Sequence, residues 1–448
     1  MGGCASKNKI RDADGDEGPI GIHSFSMEVQ LGKGGYGVVH ACEKLTGPDK
    51  GTMYALKEMD KSQLRKEKQR IAEAMTERNI LANVHHPYLC NLRYAFQDDE
   101  KLYLVLDIAL GGDLRYQQRH NGPNIFPGSS LKVFPEDWVK YYTASMVLAL
   151  GNLHQVGIIM RDMKEANILM EATGAVKLSD FGVSAFADKD GKCHKGSGTP
   201  GYMAPEIYQK NHEHSFDFDW FALGVTAFQL ATASFPFPSE KIRKASVREN
   251  PGALETEGLE KKMQQIGASS YFVDFIIGMC AQYPENRLGG GRGPRGCAKL
   301  QTHRWFDTID FALLEKGELP APYMPDVSTA NCAVDGNAIM DQFDVGQTKK
   351  KRAKDIFDES NEPDFAPFYF KFDENQKRTG TVVLGKKARM RSRRASSASF
   401  KVLRETVMKK GVEVREFKSE THLKSAVVDL DKPLLGKLST KFEESDSA

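Results

Sequence analysis

One stretch constrains this chain more than any other: Arg161-Asp162-Met163-Lys164-Glu165-Ala166-Asn167, with Asp180-Phe181-Gly182 beginning thirteen residues after Asn167. The first run sets a carboxylate able to take a proton from a hydroxyl, Asp162, near a cation, Lys164. Asn167 and Asp180 add two oxygens of the kind that hard divalent cations prefer. A lone Asp in such a run is a common turn residue. Asp162, Lys164, Asn167 and Asp180 together demand a fold that brings two loops to one point.

A second stretch demands a strand, a turn and a strand. Leu31-Gly32-Lys33-Gly34-Gly35-Tyr36-Gly37-Val38-Val39 sets Gly at 32, 34 and 37, where a missing Cβ lets backbone N–H groups approach a phosphate. By itself this glycine spacing is often only a turn. Val39, a branched residue able to cap an adenine ring, strengthens it. So does the strand Tyr54-Ala55-Leu56-Lys57 about twenty residues on. A dinucleotide fold would show an acid at that distance instead. Lys57 is expected to bridge the α- and β-phosphates of ATP, and it needs a carboxylate partner. The segment from Leu64 to Val84 is charged, lacks Gly and Pro, and reads as a helix. Of its acids Glu67, Glu73 and Glu77, the first reads as a solvated face. Lys101 to Leu106 reads as a buried strand leading to a hinge. Asp107 and Ala109 there are expected to offer backbone groups to adenine, and Asp113, after Gly111-Gly112, to bond the ribose.

Residues 136 to 156 read as a helix with an apolar stripe through Trp138, Tyr142, Leu148 and Leu153. The loop after it carries the chemistry. Asp162 is expected to act as the base or orienter for a hydroxyl, and Lys164 to neutralise charge on a transferred phosphate. Asn167 and Asp180 are expected to hold Mg²⁺ between phosphate oxygens. Further on, Glu206 is expected to pair with Arg287 in the interior, and Asp219 to brace the backbone of the Asp162 loop.

Composition is that of an ordinary soluble globular protein, at 40% hydrophobic and 27% charged residues in 448. The net charge of +2 argues neither for nor against nucleic acid, and none is expected as a partner. No apolar run approaches the roughly 20 residues of a spanning helix, and residues 1–21 lack the apolar core of a secretory signal. The seven cysteines are odd in number and never at C-x-x-C spacing. That argues against a disulfide framework or zinc site and for a reducing compartment.

With these motifs in view, the chain resembles the eukaryotic protein kinases. The resemblance implies an α+β, bilobal fold, with a small β-rich N-lobe and a larger helical C-lobe. It selects Glu77 as partner of Lys57. It also places Leu31, Ala55 and Leu169, with Lys33, Gly35 and Tyr36 of the glycine loop, in the nucleotide-binding set. Lys164, two places after Asp162, is similar to the serine/threonine class. Trp305-Phe306-Asp307, Leu319-Pro320-Ala321-Pro322-Tyr323-Met324-Pro325 and Phe368-Tyr369-Phe370-Lys371-Phe372 resemble the C-terminal extension of the AGC group. Within that group the chain is most similar to G-protein-coupled receptor kinases, without their regulatory helical domain. The resemblance implies a flexible arm at 1–24, a catalytic domain at 25–306 (N-lobe 25–107, C-lobe 108–306), an AGC-type extension at 307–375 and a basic flexible tail at 376–448. Two departures stand out. The activation-loop threonine of many AGC kinases aligns with Lys195, which leaves Arg161 without its usual anion and implies activity without phosphorylation there. Ala166 and Gln229 stand where basophilic relatives carry acids, which implies weak selection for arginine in substrates.

The start of the chain reads as a membrane address. Met1-Gly2-Gly3-Cys4-Ala5-Ser6 fits N-myristoylation at Gly2. A single myristoyl chain binds membrane only marginally, and palmitoylation at Cys4 would make attachment durable. Residues 386–394 hold six cations in nine positions. They read as a solvated run or as a contact for anionic lipid. The expectation is therefore a kinase at the cytoplasmic face of a membrane, with a cytosolic pool, acting on protein substrates with MgATP. A catalytically inactive nucleotide-binding scaffold is the rival reading. A kinase of small molecules would lack the Ala204-Pro205-Glu206 segment and the Asp219 helix.

Overall fold

The structure is a computed structural model. It describes residues 20–34, 37–126, 129–244, 254, 256–290, 293–327, 363–365 and 368–372. Strands β1 (Phe25–Gly34), β2 (Gly37–Lys44) and β3 (Met53–Asp60) form an antiparallel meander. A short helix α1 (Lys61–Leu64) follows, capped by the Asp60 carboxylate through the Ser62 and Gln63 amides, and then α2 (Lys68–Asn83). The helix expected from Leu64 to Val84 is thus broken at its start. Asp60 caps its own turn, Lys61 Nζ is tied to the Asp98 carbonyl at 2.7 Å, and Glu67 is extended, so the helix restarts at Lys68.

β4 (Leu92–Gln97) and β5 (Lys101–Asp107) complete the lobe. Alternation along β5 gives the sheet two apolar faces. Leu102 and Leu104 face the main core, while Tyr103 and Val105 join Phe25, Cys42, Tyr54 and Leu56 in a second cluster, as a period of two requires.

The large lobe contains α3 (Leu114–Asn121), α4 (Glu136–Gln155), the short strands β6 (Ile158–Ile159), β7 (Ile168–Met170), β8 (Val176–Leu178) and β9 (Ala185–Phe186), and then helices α5 (Asp217–Thr232), α6 (Ser239–Lys244), α7 (Glu257–Gln265), α8 (Ser270–Met279), α9 (Gly296–Gln301) and α10 (Phe311–Lys316). α4 is buried without a break from Tyr141 to Gly151. Its apolar surface is a full circumference, not one stripe, because α5, α9, α10 and β8 pack around it. Arg287 clamps this lobe. Its guanidinium donates to both Glu206 oxygens at 2.7 and 2.6 Å and to the Asp217, Ala281 and Gln282 carbonyls. Every N–H it carries is used, which is what makes a buried charge tolerable.

The C-terminal extension binds both lobes. Tyr88 donates to the Leu314 carbonyl at 2.6 Å, and Tyr323 stacks on Trp138 at 4.7 Å. Phe365 and Phe368 are fully buried against the small lobe. β10 (Phe370–Lys371) adds to the edge of β4, giving the sheet order β1-β2-β3-β5-β4-β10. The result is the expected α+β, two-lobed arrangement. Cys42, Cys90, Cys193, Cys280 and Cys297 are buried and free. No helix among the described residues is long and apolar enough to cross a membrane.

Candidate active site

The thirteen-residue spacing between Asn167 and Asp180 is the length of a hairpin. β7 and β8 pair antiparallel, Ile168 opposite Leu178, and the Ser179 amide donates to the Asn167 carbonyl at 2.9 Å. The two residues flanking the hairpin are thereby brought side by side. Upstream, Asp219 on α5 holds the loop. Its carboxylate accepts from the Met160 and Arg161 amides, both at 2.8 Å, and contacts His154 Nε2 at 2.8 Å. These bonds sustain a left-handed Arg161, φ 67°, a conformation costly for a residue with a Cβ. Asp180 is left-handed too, φ 60°. Strain at both places marks the point where the chain is turned to aim Asp162 and Asp180.

Asp162 is buried and surrounded by donors. Lys164 Nζ lies 2.6 Å from Oδ2 and Asn167 Nδ2 3.0 Å from the same oxygen. Thr199 Oγ1 donates to Oδ1 at 2.5 Å, and Lys164 donates to Thr199 at 2.8 Å. Thr199, from the activation segment, was not singled out by sequence. Its signal was available only as the residue before Pro200.

Across the cleft, β2–β3 pairing sets Val39 opposite Lys57, and β1–β2 pairing sets Gly32 opposite Val39. Gly32, Val39 and Lys57 therefore line up across the sheet. A Cβ on Gly37 would lie 1.8 Å from the Glu58 carbonyl oxygen, so only glycine permits the loop to fold down here, whereas one on Gly32 would meet open space. Lys57 Nζ is held by both oxygens of buried Glu77 on α2, at 2.7 and 2.9 Å. Leu31, Val39, Ala55 and Leu169 are half-buried, and Lys33 is exposed. Gly35 and Tyr36 lie outside the described residues, as do Gly2, Cys4 and the 386–394 run.

At the hinge, the Asp107 side chain turns into an ionic cluster. It accepts from Arg93 Nε at 2.7 Å and Asn91 Nδ2 at 2.8 Å, and lies 3.5 Å from Lys177 Nζ. Its amide is bonded to the Asn91 carbonyl, so the Asp107 N–H is engaged within the protein. Among the described residues nothing bonds the main chain of Ala109, whose N–H and C=O are left for another partner. Asp113 caps α3, accepting from the Tyr116 amide at 2.8 Å, and its backbone bridges Leu169. Burial pushes its carboxyl above the ordinary value against the pull of the Tyr116 amide and Arg115.

The activation segment is ordered without an acidic group at 195. Arg161 donates to the Val183 carbonyl at 2.7 Å and to the Lys195 carbonyl at 2.8 Å. Lys195 Nζ reaches back to Glu73 on α2 at 3.2 Å. Glu73 and Glu77 stand one helical turn apart, and each takes a lysine. Cys193 lies 3.5 Å from Arg161. Burial opposes its ionisation, yet His214, the Lys195 amide and Arg161 hold the thiol at about 7.

Residues 25–306 match the protein kinase domain family. This chain belongs to the protein kinase family. Its kinase relatives include ribosomal protein S6 kinase alpha-1 of Homo sapiens, 38% identical over 308 residues that cover 68% of this chain and 38% of that protein. Ribosomal protein S6 kinase 2 beta of Xenopus laevis is 39% identical over 308 residues, 68% of this chain and 45% of that protein. Ribosomal protein S6 kinase beta of Caenorhabditis elegans is 35% identical over 309 residues, 69% of this chain and 52% of that protein. The chain spans about half or less of the length of these AGC-group relatives.

Protein kinases use ATP with Mg²⁺, and the residues present fit both. Asn167 commits its amide nitrogen to Asp162 and leaves its oxygen unbonded among the described residues. Asp180 is exposed, its only described hydrogen bond a 3.4 Å contact from the Gly182 amide. Two oxygens of this kind suit Mg²⁺, which keeps most of its shell for water and phosphate. Among the described residues no cluster of three His, Cys, Asp or Glu forms a protein-only cage. The half-buried apolar side chains and the unbonded Ala109 main chain suit a purine.

Proposed function

We propose that the protein is a serine/threonine kinase of the AGC type, transferring the γ-phosphate of MgATP to hydroxyls of protein substrates. The observation that carries this reading is the Asp162–Lys164–Thr199 cluster facing an intact Lys57–Glu77 pair. When bound, MgATP supplies the phosphoryl group and the metal charge that screens its oxygens. Asp162 receives or orients the proton of the acceptor hydroxyl. Lys164, fixed by Asp162 and Thr199, places positive charge beside the reacting centre. Lys57, fixed by Glu77, is set to hold the nucleotide phosphates. Asn167 and Asp180 would be the ion's protein ligands. Filled catalytic positions weigh against an inactive scaffold. The test is transfer from radiolabelled ATP to a degenerate peptide library. Asp162→Asn should lower kcat by roughly 10²–10⁴-fold, and equal labelling by both proteins would remove Asp162 from this role.

Within the AGC group we infer a place near the G-protein-coupled receptor kinases. Lys195 at the activation-loop position supports it. We also infer attachment to the cytoplasmic face of a membrane through Gly2 and Cys4, aided by the 386–394 cations. Gly2→Ala should move the protein from the membrane to the soluble fraction, and an unchanged bound fraction would remove the acyl anchor.

A further inference from the structure

A cavity of about 250 Å³ opens beside the catalytic loop, with Arg115, Arg119, Ser130, Lys132, Glu165 and Gln229 in its wall. Arg115 and Arg119 are one turn apart on α3 and share a face. Lys132 comes from the opposite side, on a loop closed by the Asn124–Lys132 bridge and by the Ile125 amide bonded to the Leu131 carbonyl at 2.8 Å.

The charges do not cancel. Glu165 is the one acid in the wall among the described residues, and it is spent. Its Oε1 accepts from Arg115 Nε at 2.6 Å, its Oε2 accepts from the Tyr202 phenol, and its side chain is 1% exposed. Gln229 brings no charge, and its side chain already meets Tyr202. Lys132 Nζ donates to the His120 carbonyl, which leaves its charge unneutralised. Arg119 is exposed and has no carboxylate partner among the described residues. Three cations against one neutralised acid leave an excess of two positive charges. A concave site of one sign concentrates ligands of the other, and guanidinium forks match the geometry of carboxylate and phosphate oxygens.

The cavity also adjoins the chemistry. Glu165 is three residues past Asp162, and Tyr202 is three residues past Thr199, which bonds Asp162. Three residues of chain span at most about 10 Å, so an extended substrate reaches the cavity with a side chain two or three residues from its acceptor hydroxyl.

We propose that this cavity is a substrate subsite that selects an anionic side chain, Asp, Glu or a phosphorylated residue, two or three positions from the phosphorylated hydroxyl. The inference rests on the kinase reading and names its substrate class. It is the reverse of arginine selection, because the wall carries cations where a basophilic groove needs acids.

The test uses the full chain and peptides with one serine in an alanine background, each flanking position replaced in turn by glutamate, phosphoserine, alanine or arginine. One position should show kcat/KM about tenfold higher or more for an anion than for alanine, as expected for a charge-assisted hydrogen bond. Phosphoserine above glutamate would assign a dianion, and equality a carboxylate; either supports the subsite. In Arg119→Glu/Lys132→Glu the anion-to-alanine ratio should fall to about one. No anion preference anywhere, or a ratio untouched by the double substitution, overturns the proposal. Should no peptide be labelled at all, the kinase reading fails. Fluorescence polarisation of the same peptides then still reads the subsite: glutamate or phosphoserine peptides binding no tighter than alanine ones overturn it without reference to transfer.

Discussion

Asp107 was read from sequence as a backbone partner for a nucleotide, and its side chain turns out to hold the hinge together. Burial pushes its carboxyl up, but the Lys177 and Arg93 charges outweigh this and hold it below the ordinary carboxylate range. A carboxyl with a depressed native pKa stabilises the fold at pH values above its unfolded value, about 3.9. That stabilisation disappears as pH falls through the lower native value. Asp107→Asn leaves buried Lys177 with Glu171 alone and half-buried Arg93 without its carboxylate, and should cost about 3 kcal/mol at pH 7. In urea titrations its midpoint should lie well below wild type at pH 7, and the gap should narrow below about pH 4. A gap independent of pH would show that the cluster does not act through charge. The residues proposed for catalysis were easier to read than Asp107. Asp162, Lys164, Asn167 and Asp180 are polar groups at a spacing that no packing requirement explains. The side chain of a hinge residue has many neighbours available, and only the fold chooses among them.

At the scale of elements, α2 joins the two halves of the site. Its Glu77 holds Lys57, and its Glu73 holds Lys195. The second pair does for the activation segment what a phosphate on residue 195 would do: it ties that segment to the helix. Lys195 is half-exposed, so the pair adds little to global stability, and its effect belongs to activity. Lys195→Glu should lower kcat/KM about threefold to fivefold, and Glu73→Lys in the same chain should recover most of the loss. Failure of the charge swap to rescue would assign the loss to something other than this pair. The helix was legible from its charged, Gly- and Pro-free run. Its true start was not, because Asp60 caps a separate turn and Lys61 is drawn to the Asp98 carbonyl, a contact across 37 residues of chain.

At the scale of the whole molecule, the described parts of the C-terminal extension touch both lobes, α10 and Tyr323 meeting the large lobe and Phe365, Phe368 and β10 the small one. Arg78, on α2 beside Glu77, donates to the Phe368 and Tyr369 carbonyls at 3.1 and 2.5 Å. Phe365 lies under Lys61 and Arg65 at 5.4 and 5.3 Å. The helix that positions Lys57 is therefore braced by residues nearly 300 positions downstream. Replacing Phe365 and Phe368 together by Ala removes burial worth roughly 3–6 kcal/mol. It should expose the segment to proteolysis and lower kcat roughly tenfold, the equivalent of 1.4 kcal/mol in the barrier. An unchanged rate with a released tail would separate docking from catalysis.

The sequence by itself set the motifs of the proposed chemistry, in glycine spacing, strand alternation and polar residues where no core calls for them, and the family resemblance these carry implied the two-lobed, α+β plan that the fold shows. Tertiary structure alone decided which partners those residues take. Lys195 meets Glu73, Arg115 neutralises Glu165, Thr199 reaches Asp162, and α4 is buried on every side. Such contacts join segments far apart in the chain. Several acids of similar propensity could have filled each role, and only packing sets the distances that separate a 2.7 Å ion pair from a solvated charge.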